Sequence, residues 1–282
     1  MSSTFRNFAR ERVIIISAPN GARRTKADHP ALPLTAEQMA QEAKQLVDQQ
    51  VTVLHLHVRD RDGGHSLDAG IYRDAISAVR KAVGSELIIQ VTSESVGIYS
   101  RQEQMEMVRS LRPEAVSLAL RELCPDEDSE AEAAQFYGFL QDEGIWPQHI
   151  LYTPNEVNRF DRLRKRGVLG EEQPFCLMVL GNYAGAIEGS PEELNEKKQM
   201  ADFNEFPWAV CCFGGSELQS TLAATAQGGH VRLGFENNIH LSDGTLADSN
   251  SALIEQYRQA IFGLERTPAN IEEVRKLFLT NS

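Results

Sequence analysis

The chain has 282 residues, 28 basic against 40 acidic side chains, and a formal net charge of −12. Its 41% hydrophobic and 24% charged content is that of a soluble globular protein, and an acidic chain without a basic block is not built for nucleic acid or an anionic membrane surface. No apolar run approaches the roughly 18 residues that span a bilayer, and Val13–Ser17 is shorter than the core of a secretion signal.

In chain order, short β-branched apolar runs alternate with helical patterns. Val13–Ser17 comes first; Thr35 to Gln38 then reads as a capping box opening a helix. Val51–His57, Leu87–Thr92, Ala115–Leu120, His149–Tyr152 and Phe175–Leu180 follow. Pro191, Glu192 and Glu193 suit a first helical turn, where free N–H groups and the dipole favour them. Trp208–Phe213 and His230–Phe235 complete the set, and Asp248-Ser249-Asn250 opens a long final helical pattern. Near-continuous apolar runs suit strands buried on both faces. These β/α units predict an α/β fold, a single (β/α)8 TIM barrel over residues 1–282, with Pro268–Leu279 as an extra C-terminal helix. Periodicity also fits a doubly wound open sheet. The cysteines Cys124, Cys176, Cys211 and Cys212 show no disulfide spacing, which predicts a reducing, cytoplasmic setting.

A barrel keeps its chemistry at the C-terminal ends of its strands. His55 and His57 close the second run, two apart and hence on one face, a pair that suits zinc and equally suits two pocket histidines bonded to neighbours. The eighth run ends with Arg232, Glu236, Asn237 and Asn238; Glu236 is the candidate third ligand, or else the partner of Arg232 in an ion pair. The loop after the first run carries Asn20, Arg23, Arg24 and Lys26, suited to an anion at the barrel mouth or to plain solvation. Thr92, Ser93 and Glu94 close the third run, where hydroxyls commonly cap. Arg121 and Glu122 read as a local ion pair, and His29 and His65 as exposed loop residues. Nucleotide-binding glycine loops and the serine-hydrolase elbow are absent from the sequence.

Leu54–Asp60 (LHLHVRD), Gly21–Lys26 (GARRTK) with Leu32-Pro33, and Gly228–Asn238 (GGHVRLGFENN) together resemble the β-keto acid cleavage enzymes, whose founding activity is 3-keto-5-aminohexanoate cleavage. The resemblance runs from about Val13 to Leu279. It implies a zinc-dependent barrel, a homotetramer, that condenses a β-keto acid with acetyl-CoA to give acetoacetate and a new acyl-CoA. It implies His55, His57 and Glu236 as zinc ligands and Arg232 as the catalytic arginine. Thr92, with Ser93 beside it, falls where the family has a catalytic serine, and Ser117 where a hydroxyl contacts substrate.

The chain departs from the pattern twice. Asn237 stands where the family has an aspartate base, and Arg23 where the aminohexanoate enzyme has a glutamate for the substrate ammonium. Arg23, with Asn20, is therefore expected to bind a substrate with an anionic or neutral distal group. Glu94 is expected to take over proton transfer, with Asn237 positioning a substrate oxygen or Arg232. The competing readings are a metal-dependent hydrolase of the amidohydrolase kind and a non-catalytic barrel that binds a small acid or CoA ester.

Overall fold

A computed structural model of the chain describes residues 3–170, 174–183 and 187–279. Eight parallel strands close into a barrel: β1 (Ile15–Ser17), β2 (Val53–Leu56), β3 (Ile88–Thr92), β4 (Ala115–Ala119), β5 (Trp146–Leu151), β6 (Phe175–Leu180), β7 (Trp208–Cys212) and β8 (His230–Leu233). Each strand pairs with its sequence neighbour, and β8 closes on β1 through Val231 opposite Ile15 and Leu233 opposite Ser17. The open-sheet alternative is thereby excluded.

Strand alternation divides the apolar runs between two buried layers. Ile15, Leu54, Leu56, Ile89, Val91, Met178 and Val231 face outward and pack beneath the helices, among them Met39, Leu46, Tyr72 and Phe136. Ile16, Val53, Ile88, Ala115, Trp146, Phe175, Leu177 and Ala209 face inward and fill the barrel. The N-terminal end is stoppered from outside: Phe278 of the C-terminal helix Ile271–Phe278 stacks on Trp146 at 4.3 Å between centroids, with Phe175 at 5.5 Å.

Caps set the helix starts. Thr35 Oγ1 accepts from the Gln38 amide at 3.2 Å while the Gln38 side chain accepts from Thr35, the reciprocal bonding that the sequence predicts for Ala36–Asp48. Pro191, Glu192 and Glu193 do open the helix Pro191–Lys198, and Ser249 caps Asn250–Ala260.

Three details differ from the expectations. A helix over Ser3–Glu11 precedes the barrel, its Phe5 and Phe8 rings 5.9 Å from His230. The first apolar run divides: Arg12–Val13 pairs with Thr267–Pro268 outside the barrel, and only Ile15–Ser17 belongs to it. The fifth strand begins at Trp146 rather than His149, because Pro147 and Gln148 read as polar punctuation although both are buried; His149 faces outward between Tyr137 and Phe160.

Candidate active site

At the C-terminal end of β2, His55 and His57 point the same way, and the turn after β8 brings Glu236 to them. The two Nε2 atoms lie 3.0 Å apart and 3.4 and 3.3 Å from Glu236 Oε2. Gln90, on the inward face of β3, accepts from His55 Nδ1 at 2.8 Å, which leaves the Nε2 lone pair free. Glu236 Oε1 accepts from Arg232 Nη2 at 2.9 Å, whereas Oε2 is buried without any protein donor. A buried carboxylate oxygen without a hydrogen bond, set against two imidazole nitrogens that themselves lie 3.0 Å apart, is stabilised by something positive among them. Ligands 2.0–2.1 Å from a tetrahedral zinc stand about 3.3 Å from one another, so the donor set fits a divalent cation. Glu236 thus faces the two histidines and at the same time pairs with Arg232.

Burial works against the charge on Glu236, yet Arg232 and the two imidazoles hold its carboxyl well below the usual range. Arg232 is itself buried; Cys211 and Glu236 outweigh that burial and keep it protonated, and its Nη2 also reaches Cys211 Sγ at 3.3 Å. Tyr183 closes over the pair, its hydroxyl donating to the Glu236 backbone carbonyl at 2.5 Å.

A cavity of about 190 Å³ opens beside this cluster, and Arg23, His55, Thr92, Glu94, Ser117, Arg232 and Glu236 all line it. Ser117 opposes Thr92 across the β3–β4 pairing, and its buried hydroxyl has no protein partner. Thr92 Oγ1 accepts from the Glu94 amide at 3.0 Å, which turns the chain so that Glu94 faces the cavity. Burial, then Glu236 and Glu122, raise the Glu94 carboxyl above its ordinary range, against the pull of His57 and Arg23. Ser93 points away from the cavity, its hydroxyl donating to the Ser117 carbonyl at 3.2 Å.

Other expected residues fall elsewhere. Asn20 is buried and its amide donates to the His57 carbonyl at 3.1 Å, so it ties the first loop to β2 and is not among the cavity-lining side chains. Asn237 is buried with both amide atoms unpartnered, and it too is not among the lining residues. His29 and His65 are buried rather than exposed: His29 Nε2 meets the Ala247 carbonyl at 2.7 Å, and His65 Nε2 the Glu94 carbonyl at 2.8 Å, with its ring 5.4 Å from His57. Turn residues hid them, because glycine and proline neighbours mark a loop but not its burial. Arg121 and Glu122 do not pair with each other; Arg121 bonds Glu156 at 2.7 Å and Glu122 accepts from Ser95.

The sequence reading missed Arg59, Gln90, Tyr152 and Tyr183. Arg59 is buried and donates to the carbonyls of Gly21 (2.7 Å) and Arg24 (3.0 Å), strapping the first loop across β2. Its place within the HLHVRD run was the available signal. Gln90 could have been found from strand alternation, two residues before Thr92. Gly21 has φ +62°, and a Cβ there would lie 2.5 Å from Glu236 Cγ, so the loop glycine makes room for the Glu236 side chain.

The sequence profile of the family described as beta-keto acid cleavage enzyme matches residues 12–279. The 3-keto-5-aminohexanoate cleavage enzyme of Fusobacterium nucleatum is 29% identical over 95% of this chain and 97% of its own. The 3-oxoadipate:acetyl-CoA acetyltransferase of Cupriavidus necator is 24% identical over 94% of this chain and 93% of its own. Among solved structures, the binary complex of ObcA with oxaloacetate superposes with a TM-score of 0.70 at 14% identity, over 88% of this chain and 67% of that one, a likeness of fold.

Proposed function

Because the chain belongs to the β-keto acid cleavage enzyme family, we propose that it condenses a β-keto acid with acetyl-CoA and releases acetoacetate and a new acyl-CoA. The observation that carries the reading is the orphaned Glu236 Oε2 facing the two histidine Nε2 atoms at the wall of the cavity. In this reading His55, His57 and Glu236 hold zinc, which when bound supplies a Lewis acid for the keto oxygen. The family match favours this over amidohydrolase chemistry.

The chain's own residues then have distinct tasks. Glu94 takes the proton from the carbon between the keto and carboxylate groups; that carbon attacks the acetyl thioester and expels the CoA thiolate. The thiolate adds to the original keto carbon, the bond between that carbon and the former nucleophile breaks, and Glu94 returns its proton to the acetoacetate carbanion. Arg232, held positive, and the free hydroxyl of Ser117, with Thr92, donate to the oxyanions along the way. Asn237, buried with both amide atoms unpartnered, keeps the role of a positioning residue, for a substrate oxygen or for Arg232. Asn20 acts likewise through the His57 carbonyl.

Arg23 at the cavity mouth favours a distal group that is anionic or neutral over an ammonium. Arg23→Glu is expected to lose about 1–3 kcal/mol of preference for an anionic substrate. The homotetramer and the cytoplasmic setting belong to the same proposal; four buried free thiols suit a reducing compartment, and no helix among the described residues is long and apolar enough to cross a membrane. The test is incubation of the metal-replete protein with acetyl-CoA and a panel of β-keto acids, with acyl-CoA products read by mass spectrometry. Acetoacetate and the matching acyl-CoA formed in equal amounts are expected. No acetyl-CoA-dependent product from any member, or a wild-type preference for a distal ammonium, rejects the respective part.

A further inference from the structure

Besides Arg23 and Arg232, the cavity is lined by a third arginine that the proposed chemistry does not use. Arg121, just after β4, sits with its guanidinium 3.8 Å over the ring of Tyr152, just after β5, and its Nε donates to Glu156 at 2.7 Å. Glu156 is itself fixed, as the third residue of the capping box that opens Pro154–Lys165. Stacking at 3.8 Å on one face and an ion pair at Nε leave Arg121 less freedom than Arg23, whose guanidinium lies 5.9 Å over the Tyr183 ring. Among the described residues neither Nη nitrogen of Arg121 meets an acceptor, and its side chain remains 44% exposed at the cavity wall. Glu156 balances the guanidinium's charge from the Nε side, and Glu122, which lines the same cavity, is engaged by the amide and the hydroxyl of Ser95 at 3.1 and 2.8 Å and makes no pair with Arg121. The result is a pre-oriented pair of N–H donors at one wall of the same cavity whose other wall holds the histidine and glutamate cluster.

We propose that Arg121, braced by Tyr152 and Glu156, is a further specificity-determining residue beside Arg23: Arg23 at the mouth disfavours an ammonium, and Arg121 binds a distal carboxylate of the keto acid directly, making a dicarboxylic 3-oxo acid the preferred substrate class; this rests on the β-keto acid reading above. A rigid planar fork suits a carboxylate because both N–H groups can be used without further loss of freedom. The shared chemistry is anion binding, and the phosphates of CoA are the other source of an anion that the experiment separates.

The experiment compares wild type, Arg121→Gln and Arg121→Lys with 3-oxoadipate and with 3-oxohexanoate, which has the same length and a methyl in place of the distal carboxylate. Arg121→Gln is expected to lower kcat/KM for 3-oxoadipate roughly 10- to 100-fold, mostly through KM, and to leave 3-oxohexanoate within about twofold; activity on the latter shows that the variant is folded. Arg121→Lys should recover only part of the loss, because a lysine restores charge without the fork or the stack. Equal losses on both acids overturn the proposal. So does a rise confined to the KM for acetyl-CoA that disappears with S-acetylpantetheine, which lacks the nucleotide phosphates. Calorimetric binding of 3-oxoadipate without acetyl-CoA keeps the two readings apart. If wild type turns over no keto acid, the proposed function fails, while unchanged 3-oxoadipate affinity in Arg121→Gln sinks the Arg121 assignment alone.

Discussion

The two ends of the barrel spend the same eight strands in opposite ways. At the N-terminal end the inward positions are apolar apart from His230, and Trp146, Phe175 and Phe278 pack with centroids 4.3–5.5 Å apart. At the C-terminal end the inward positions are His55, Gln90, Thr92, Ser117 and Arg232, and buried atoms of Glu236, Ser117, Gln90 and Asn237 have no protein partner. Each such orphan costs about 1–3 kcal/mol of desolvation, a burden that the apolar end and the helical shell offset. The difference teaches that fold and chemistry in this chain are separable along the barrel axis, and substitutions at either end should divide accordingly.

The largest effect should come from the polar end without touching the fold. His55→Ala with His57→Ala should remove bound zinc and lower kcat by ~10³-fold or more, while the far-ultraviolet circular dichroism stays that of the wild type. A double variant that retains full metal content breaks the ligand assignment.

At the opposite end the balance reverses. Trp146→Ala should destabilise by about 3–5 kcal/mol in urea unfolding, with kcat/KM per folded molecule unchanged in water. Loss of specific activity in the folded fraction would mean the two ends are coupled.

Glu94→Gln sharpens the comparison inside the polar end, by removing a proton acceptor while keeping shape. A kcat lower by ~10²-fold with KM little altered is expected; full activity would return Glu94 to the role of a wall residue.

The smallest effect concerns the shell beneath the active end. Glu42, on the helix Ala36–Asp48, is buried, has Oε1 unpartnered, and burial pushes its carboxyl up to about 7 despite a bond to Asn250. A carboxyl raised above its unfolded value of about 4.3 favours the folded state fully below that pH, and the benefit is lost as pH rises toward 7. Glu42→Gln should therefore add about 2–3 kcal/mol to stability at pH 8 and close to nothing at pH 4. Thermal melts at the two pH values check the sign.

Much of this division is legible in the sequence. Alternation placed His55 and His57 on one face, and the apolar runs gave the strand order because each barrel strand pairs with its neighbour in sequence. What escaped was whatever depends on loops folding back. The burial of His29 and His65 and the partners of Arg121 and Glu122 are set by contacts 27–218 residues away in sequence, where local pattern carries no information. The Ser3–Glu11 helix was missed because its value lies in closing the barrel floor beside His230, a contact 225 residues distant for Phe5.

Gly21 has a consequence for how such enzymes diversify. The loop that carries Arg23 presses its backbone against the Glu236 stem and hangs from Arg59 by two carbonyls, so it is a shim for the histidine–glutamate cluster as well as a wall of the cavity. Its tip and its root are therefore under different constraints. Exchanging Arg23 or its exposed neighbours for those of a relative should retune substrate choice freely, whereas a graft that alters the spacing between Ser17 and Gly21 should shift Glu236 and degrade metal affinity for every substrate alike.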